Sequence, residues 1–79
     1  MISVRNIQKN DLVKLRTEIT FKVQEIERLF QGNEIKMAIY QVTLASTHTK
    51  RVYAFWYYED GHTVEPYNYC KDIMSFWRP

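Results

Sequence analysis

Asn10-Asp11-Leu12-Val13-Lys14-Leu15-Arg16-Thr17-Glu18-Ile19-Thr20-Phe21-Lys22-Val23-Gln24-Glu25-Ile26-Glu27-Arg28-Leu29-Phe30 is the stretch on which the fold turns, because it satisfies two templates. As a helix capped by Asn10 or Asp11, it aligns Leu12, Leu15, Ile19, Val23, Ile26 and Phe30 on one stripe and pairs Glu18 with Lys22. As extended chain, it puts Val13, Leu15, Thr17, Ile19, Phe21 and Val23 on one face and Lys14, Arg16, Glu18, Thr20, Lys22 and Gln24 on the other. Two features favour the strand. Thr17, Ile19, Thr20, Phe21 and Val23 are β-branched or aromatic, and a helix would strand Phe21 among Lys14, Thr17, Glu25 and Arg28. The alternation therefore predicts a mainly β domain. Its rival is an α+β arrangement, with one long helix over about 10–31 packed on a three- to four-stranded antiparallel sheet.

Downstream the pattern is β throughout. Gln31-Gly32-Asn33 is a turn signal, and Ile35 to Ala45 is rich in Ile, Tyr, Val and Thr. Thr47 to Lys50 is a polar connection, and Arg51 to Tyr58 has the strongest strand propensity in the chain. Glu59-Asp60-Gly61-His62 closes a hairpin in which Gly61 supplies a positive φ. Residues 63–69 read as a returning strand, confined to an edge or a bulge by Pro66. Cys70 to Trp77 reads as a short helical turn or strand laying Ile73, Met74, Phe76 and Trp77 across one end of the core.

Particular segments resemble a known family. Asn10 to Arg16 is similar to the opening G-D-x-V-x-L-K strand of SH3-like small barrels, in particular the YodC-like family of short uncharacterised bacterial proteins. Phe21 to Ile26 resembles that family's M-T-V-x-x-I second strand, and Val52, Ala54 and Trp56 before Asp60-Gly61 resemble its V-x-C-x-W strand and turn. Tyr67 and Ile73 stand for its closing aromatic and Leu. Asn10 replaces the family's Gly, and Glu27 to Lys50 is longer than its counterpart. The resemblance implies a small, partly open SH3-like barrel of about five strands, ending in a short C-terminal turn or helix. It implies nothing about activity, since such folds host unrelated functions.

Size and composition narrow the function classes. The 79 residues suit a single small domain, 1–79, and 46% hydrophobic with 25% charged residues is the balance of a folded chain. A net charge of +2 falls well short of a dedicated nucleic-acid binder. Cys70 is the only cysteine, which excludes an internal disulfide framework and suits a reducing compartment. Met1 to Asn6 lacks the apolar core of a signal peptide, and no run of about 18 apolar residues exists, so the expectation is a cytoplasmic protein with no membrane partner.

The chemistry-bearing residues are sparse. Cys70, His48 and His62 are isolated in sequence, without CxxC or His spacing for zinc, and Cys70 reads as a small hydrophobe rather than a nucleophile. Glu59 and Asp60 are adjacent at a turn, so their side chains diverge into water. Gly32 and Gly61 stand alone, which excludes a phosphate-binding loop. No catalytic residue, metal or cofactor is predicted.

What stands out is the aromatic strand. If Val52, Ala54, Trp56 and Tyr58 face the core, Tyr53, Phe55 and Tyr57 form an exposed row, extended by Tyr67 or Tyr69, with Lys50 and Arg51 at its start and Lys36 and Lys71 within reach. Mixed charge and abundant Tyr and Trp make the leading expectation a non-enzymatic interaction module, a small adaptor or inhibitor that binds a protein partner or its own copy. The alternative is an RNA or single-stranded DNA binding barrel stacking bases on Tyr53, Phe55 and Tyr57 with Lys50 and Arg51 on phosphates. A small basic ribonuclease-type toxin is the third reading, and no motif supports it.

Overall fold

A computed structural model describes residues 2–29, 39–64 and 69–79, with Tyr69 defined by its backbone alone. The chain is mainly β. After a 3-10 turn at Val4–Asn6 come strands β1 (Leu12–Leu15), β2 (Thr20–Leu29), β3 (Ile39–Ser46) and β4 (Val52–Tyr58), a 3-10 turn at Tyr69–Lys71, and β5 (Ile73–Trp77). All five strands join one sheet in the order β4-β3-β2-β1-β5, each neighbour antiparallel. Among the described residues β4 and β5 do not pair, so the sheet is open along one side, in keeping with the expected partly open barrel.

Over residues 10–29 the chain is extended, as its alternation predicts, and it forms two strands where the alternation alone shows no break. Arg16 to Ile19 turn the chain: Glu18 donates its N–H to the Leu15 carbonyl (2.8 Å), Leu15 donates to Ile19 (3.1 Å), and Glu18 takes a left-handed φ of 67°. Gly or Asn is the usual occupant of that conformation, which costs a larger side chain energy, so a Glu there gives the turn no sequence signal. Val13 pairs with Phe21, so residues of one parity still face inward on both strands. Val13, Leu15, Phe21 and Val23 are buried, whereas Thr17 and Ile19, on the turn, are exposed. Asn10 is left-handed too, at φ 77°, a position that Asn tolerates.

A bulge between Val23 and Glu25 divides β2. Its first part pairs with both β1 and β3, and Glu25 to Leu29 pair with β3 alone. The extra residue bends the strand and lets the sheet curl over its contents. The core holds Val4 and Ile7 from the N-terminal segment, Val13, Leu15, Phe21 and Val23 from the first hairpin, Tyr40, Val42, Leu44 and Tyr57 from the second, and Ile73.

Of the two C-terminal elements expected, the second is a strand, and the first is described only at its start. Thr63 forms a single bridge with Tyr57, and Glu65 to Asn68, including Pro66 and Tyr67, lie outside the described residues, as do Gln31-Gly32-Asn33 and the first residues of the strand predicted from Ile35. The final strand is Ile73–Trp77, which pairs with β1. A register shift opposite Lys14 and Leu15 makes Met74 the extra residue of this strand, so Ile73 is buried and Phe76 half-buried on the inner side, while Met74 and Trp77 are exposed instead of lying on the core. Arg78 ties this strand down: its Nε donates to the buried carboxylate of Asp11 at 3.0 Å.

Candidate functional site

β4 is the strand on which a site was expected, and its two faces are the reverse of that expectation. Its register with β3 sets Tyr53 opposite Leu44, Phe55 opposite Val42 and Tyr57 opposite Tyr40. Directly paired residues share a face, and Leu44, Val42 and Tyr40 are all buried. The aromatic row therefore lines the inside of the sheet. Tyr57 is 0% exposed, Phe55 packs against the core, and Tyr53 is 37% exposed where the sheet opens. Val52, Ala54 and Trp56, expected inside, point outward: Val52 is 53% and Trp56 50% exposed, and Tyr58 is half-buried. Both residue sets are apolar, so β4 alone carries no signal of which side is inside.

The inner rings form a continuous file. Phe21 meets Tyr53 edge-on at 6.0 Å between centroids, Tyr53 stacks on Phe55 at 6.1 Å with planes 10° apart, and Phe55 meets Tyr57 edge-on at 6.3 Å. Lys71 sits over this file, its Nζ 6.0 Å from the Tyr53 centroid and 5.8 Å from that of Phe55. The ring quadrupole attracts the ammonium. Tyr57 anchors the file by donating its hydroxyl to the Lys71 carbonyl at 2.7 Å. Burial, reinforced by the charge of Asp72, pushes the Tyr57 hydroxyl well above the ordinary tyrosine range.

The other predicted site residues divide. Lys50 and Arg51 are exposed in the β3–β4 turn, where Lys50 adopts φ 62° and the Ser46 hydroxyl accepts the N–H groups of His48 and Thr49. Lys71, which was expected only within reach, is the cation that meets the rings. Tyr67 and Lys36 lie outside the described residues, and the Tyr69 side chain is likewise not described.

A polar cluster beneath the β4 hairpin went unread in the sequence. The carboxylate of Asp72 is buried and accepts the Thr63 N–H at 3.0 Å and Arg16 Nη2 at 3.5 Å, with His62 Nε2 at 3.9 Å. His62 Nδ1 lies 3.0 Å from Asp60. Partial burial works against the Asp60 carboxylate, but hydrogen bonds from the His62 backbone and ring outweigh it and hold Asp60 below the usual carboxylate range. With Ile73 and Met74 these groups line a cavity of about 140 Å³. Arg16 and Asp72 are 56 residues apart, so no local spacing announces the pair. Its buried carboxylate is met by backbone and guanidinium donors, which is the arrangement of a structural anchor.

Glu59 also departs from the solvated turn expected of it. It accepts from Ser3 Oγ at 3.1 Å and the Arg5 N–H at 3.2 Å and pairs with Arg5 Nε at 3.1 Å, fastening the N-terminal segment to the hairpin tip. Burial, followed by a hydrogen bond with Glu59, raises the Tyr40 hydroxyl above its ordinary value.

Among the described residues no group of three or more His, Cys, Asp or Glu side chains could hold a metal ion, and no helix is long and apolar enough to cross a membrane. Comparison with protein-family models, curated proteins and solved structures returns no match.

Proposed function

We propose that this chain is a non-enzymatic protein-interaction module, of the small adaptor or inhibitor kind, and that its docking surface is the outer face of β4. The observation that carries the reading is the run of outward positions Val52, Ala54 and Trp56, all apolar and all exposed, on a strand at the end of the sheet. A contiguous run of exposed apolar side chains marks a binding surface more often than chance, and Trp is among the residue types enriched at interface hot spots. Trp56 is already held for the purpose: its indole N–H donates to Gln41 Oε1 at 3.3 Å.

The nucleic-acid reading draws less support. Tyr57 is fully buried and offers no ring to a base, and Lys71 already lies against Tyr53 and Phe55. Among the described residues, what remains of the expected platform is the exposed side of Tyr53.

The test is a photo-reactive benzophenone amino acid placed at Val52, irradiated in the native cell, with the products separated by protease and nuclease digestion. The expected product is a protein adduct that disappears when Trp56→Ser is added. Nuclease-sensitive adducts alone, or no adduct above that of the same probe at exposed Thr49, would reject the reading.

A further inference from the structure

The outer face of the sheet is patterned in a way that names an occupant. Because paired residues share a face, the register across β2, β3 and β4 defines four rows, of which Leu29-Ile39-Tyr58 is buried or half-buried and three carry exposed residues at both ends: Lys22-Ala45-Val52, Glu25-Thr43-Ala54 and Glu27-Gln41-Trp56. The bulge in β2 keeps Glu25 and Glu27 in phase with Lys22, Gln24 being the extra residue. Read along the strands instead, the face has an apolar column on β4, a small or neutral column on β3, and a charged column on β2. Lys22, Glu25 and Glu27 are all exposed.

This pattern is self-complementary. A second copy laid face to face, about a two-fold axis running across the strands through the Glu25-Thr43-Ala54 row, exchanges the two exposed rows on either side of it. Val52 of each copy then meets Trp56 of the other, and Lys22 of each copy meets Glu27 of the other, so every opposite-charge contact is made twice. The small residues Ala54 and Thr43 lie on the axis, where two sheets about 10 Å apart come closest. One contact opposes the match, since Glu25 faces its own copy at the rim.

We infer that the outer sheet face binds a second copy of this chain in this antiparallel, face-to-face register. The inference rests on the proposal that β4 is a docking surface and names the occupant. The three-strand patch, roughly 15 by 20 Å, is well under the about 800 Å² per partner of a standard interface, so the dimer is a weak, transient one. A homodimer of this strength forms where the chain is concentrated or tethered, and it yields the same face to a tighter partner.

The test is sedimentation equilibrium of the wild-type chain and three variants at concentrations of about 10 µM to 1 mM, the range in which a weak dimer is detected. Lys22→Glu and Glu27→Lys each put like charges in contact at both symmetry-related positions and weaken association about tenfold or more. Mixed in equal amounts, the two variants restore it. In their heterodimer the carboxylate introduced at position 22 of one chain meets the ammonium introduced at position 27 of the other, and the unaltered Glu27 and Lys22 meet at the symmetry-related contact. Glu25→Gln removes the opposing contact and tightens the dimer. Circular dichroism verifies that each variant is folded. A wild-type chain that stays monomeric throughout, or a mixture no more associated than its components, overturns the inference. A Val52 adduct to a different protein would in that case still uphold β4 as a docking surface.

Discussion

Replacing Tyr57 with phenylalanine removes one oxygen from a fully buried side chain and makes stability respond differently to alkali. At pH 7 the variant loses the 2.7 Å hydrogen bond to the Lys71 carbonyl and leaves that acceptor short of a partner. The cost is about 1–2 kcal/mol, and the midpoint of thermal unfolding falls by roughly 5–12 °C in a domain of this size. Above pH 10 the comparison changes. The folded-state pKa of Tyr57 lies well above its unfolded value, because the phenolate would be buried and close to Asp72. The stability linked to this group is therefore complete below the unfolded pKa near 10 and is lost as pH rises past it, at about 1.4 kcal/mol per pH unit. The phenyl ring of the variant has no proton to lose. The stability gap between the two proteins should close by about that slope and vanish near pH 11. Urea unfolding at pH 7, 10, 10.5 and 11 measures it, and subtracting one protein from the other cancels the alkaline response of Tyr40 and the lysines. A gap that stays constant from pH 7 to 11 would refute the burial of this hydroxyl.

Trp56 and Tyr57 are neighbours on one strand with opposite fates. Tyr57→Ala should cost about 3–5 kcal/mol and leave the domain barely folded, while Trp56→Ala costs under about 1 kcal/mol by the same denaturation assay; equal losses would restore the reversed assignment of the two faces. Gly61→Ala should destabilise by about 2–4 kcal/mol. At φ 93° a Cβ would lie 2.7 Å from both the Ile73 carbonyl oxygen and Ile2 Cδ1, and only the Ile2 side chain is free to give way. A loss under about 0.5 kcal/mol, the level of an ordinary surface change, would show that the hairpin and the start of β5 are not locked together there.

The β character of the chain was legible because alternation in 10–30 survives the turn within it. The register pairs residues of like parity, Val13 with Phe21 and Lys14 with Thr20, and the turn between Leu15 and Ile19 holds three residues, so Val13, Leu15, Phe21 and Val23 face one side whether the segment is one strand or two. No residue of the turn marks it, because Glu18 occupies the left-handed position where Gly or Asn is the usual sign; only the resemblance of Asn10 to Arg16 and of Phe21 to Ile26 to separate strands divides the stretch. The two faces of β4 could have been read from β3. There Tyr40, Val42 and Leu44 alternate with Gln41 and Thr43, which marks the inner side. The β3–β4 hairpin pairs Leu44 with Tyr53, and any register of that parity carries the odd-numbered aromatics inward. The Asp72 cluster and the Asp11–Arg78 pair had no such signal, because each joins residues from opposite ends of the chain.

That β4 is apolar on both sides also bears on function. One side is fully accounted for by folding: Tyr53, Phe55 and Tyr57 fill the sheet's interior and hold Lys71. The other side is only half used by the fold, since Val52 and Trp56 keep half their surface in water. A strand needing only an inner face would be expected to alternate with polar residues, as β3 does, and at the end of a sheet to carry charge as well. The charges are present but displaced, with Lys50 and Arg51 before the strand and Glu59 and Asp60 after it. They frame the apolar run without interrupting it. Such a frame leaves Val52, Ala54 and Trp56 exposed, which is why the proposed docking surface is the outer face of β4 and not the interior ring file.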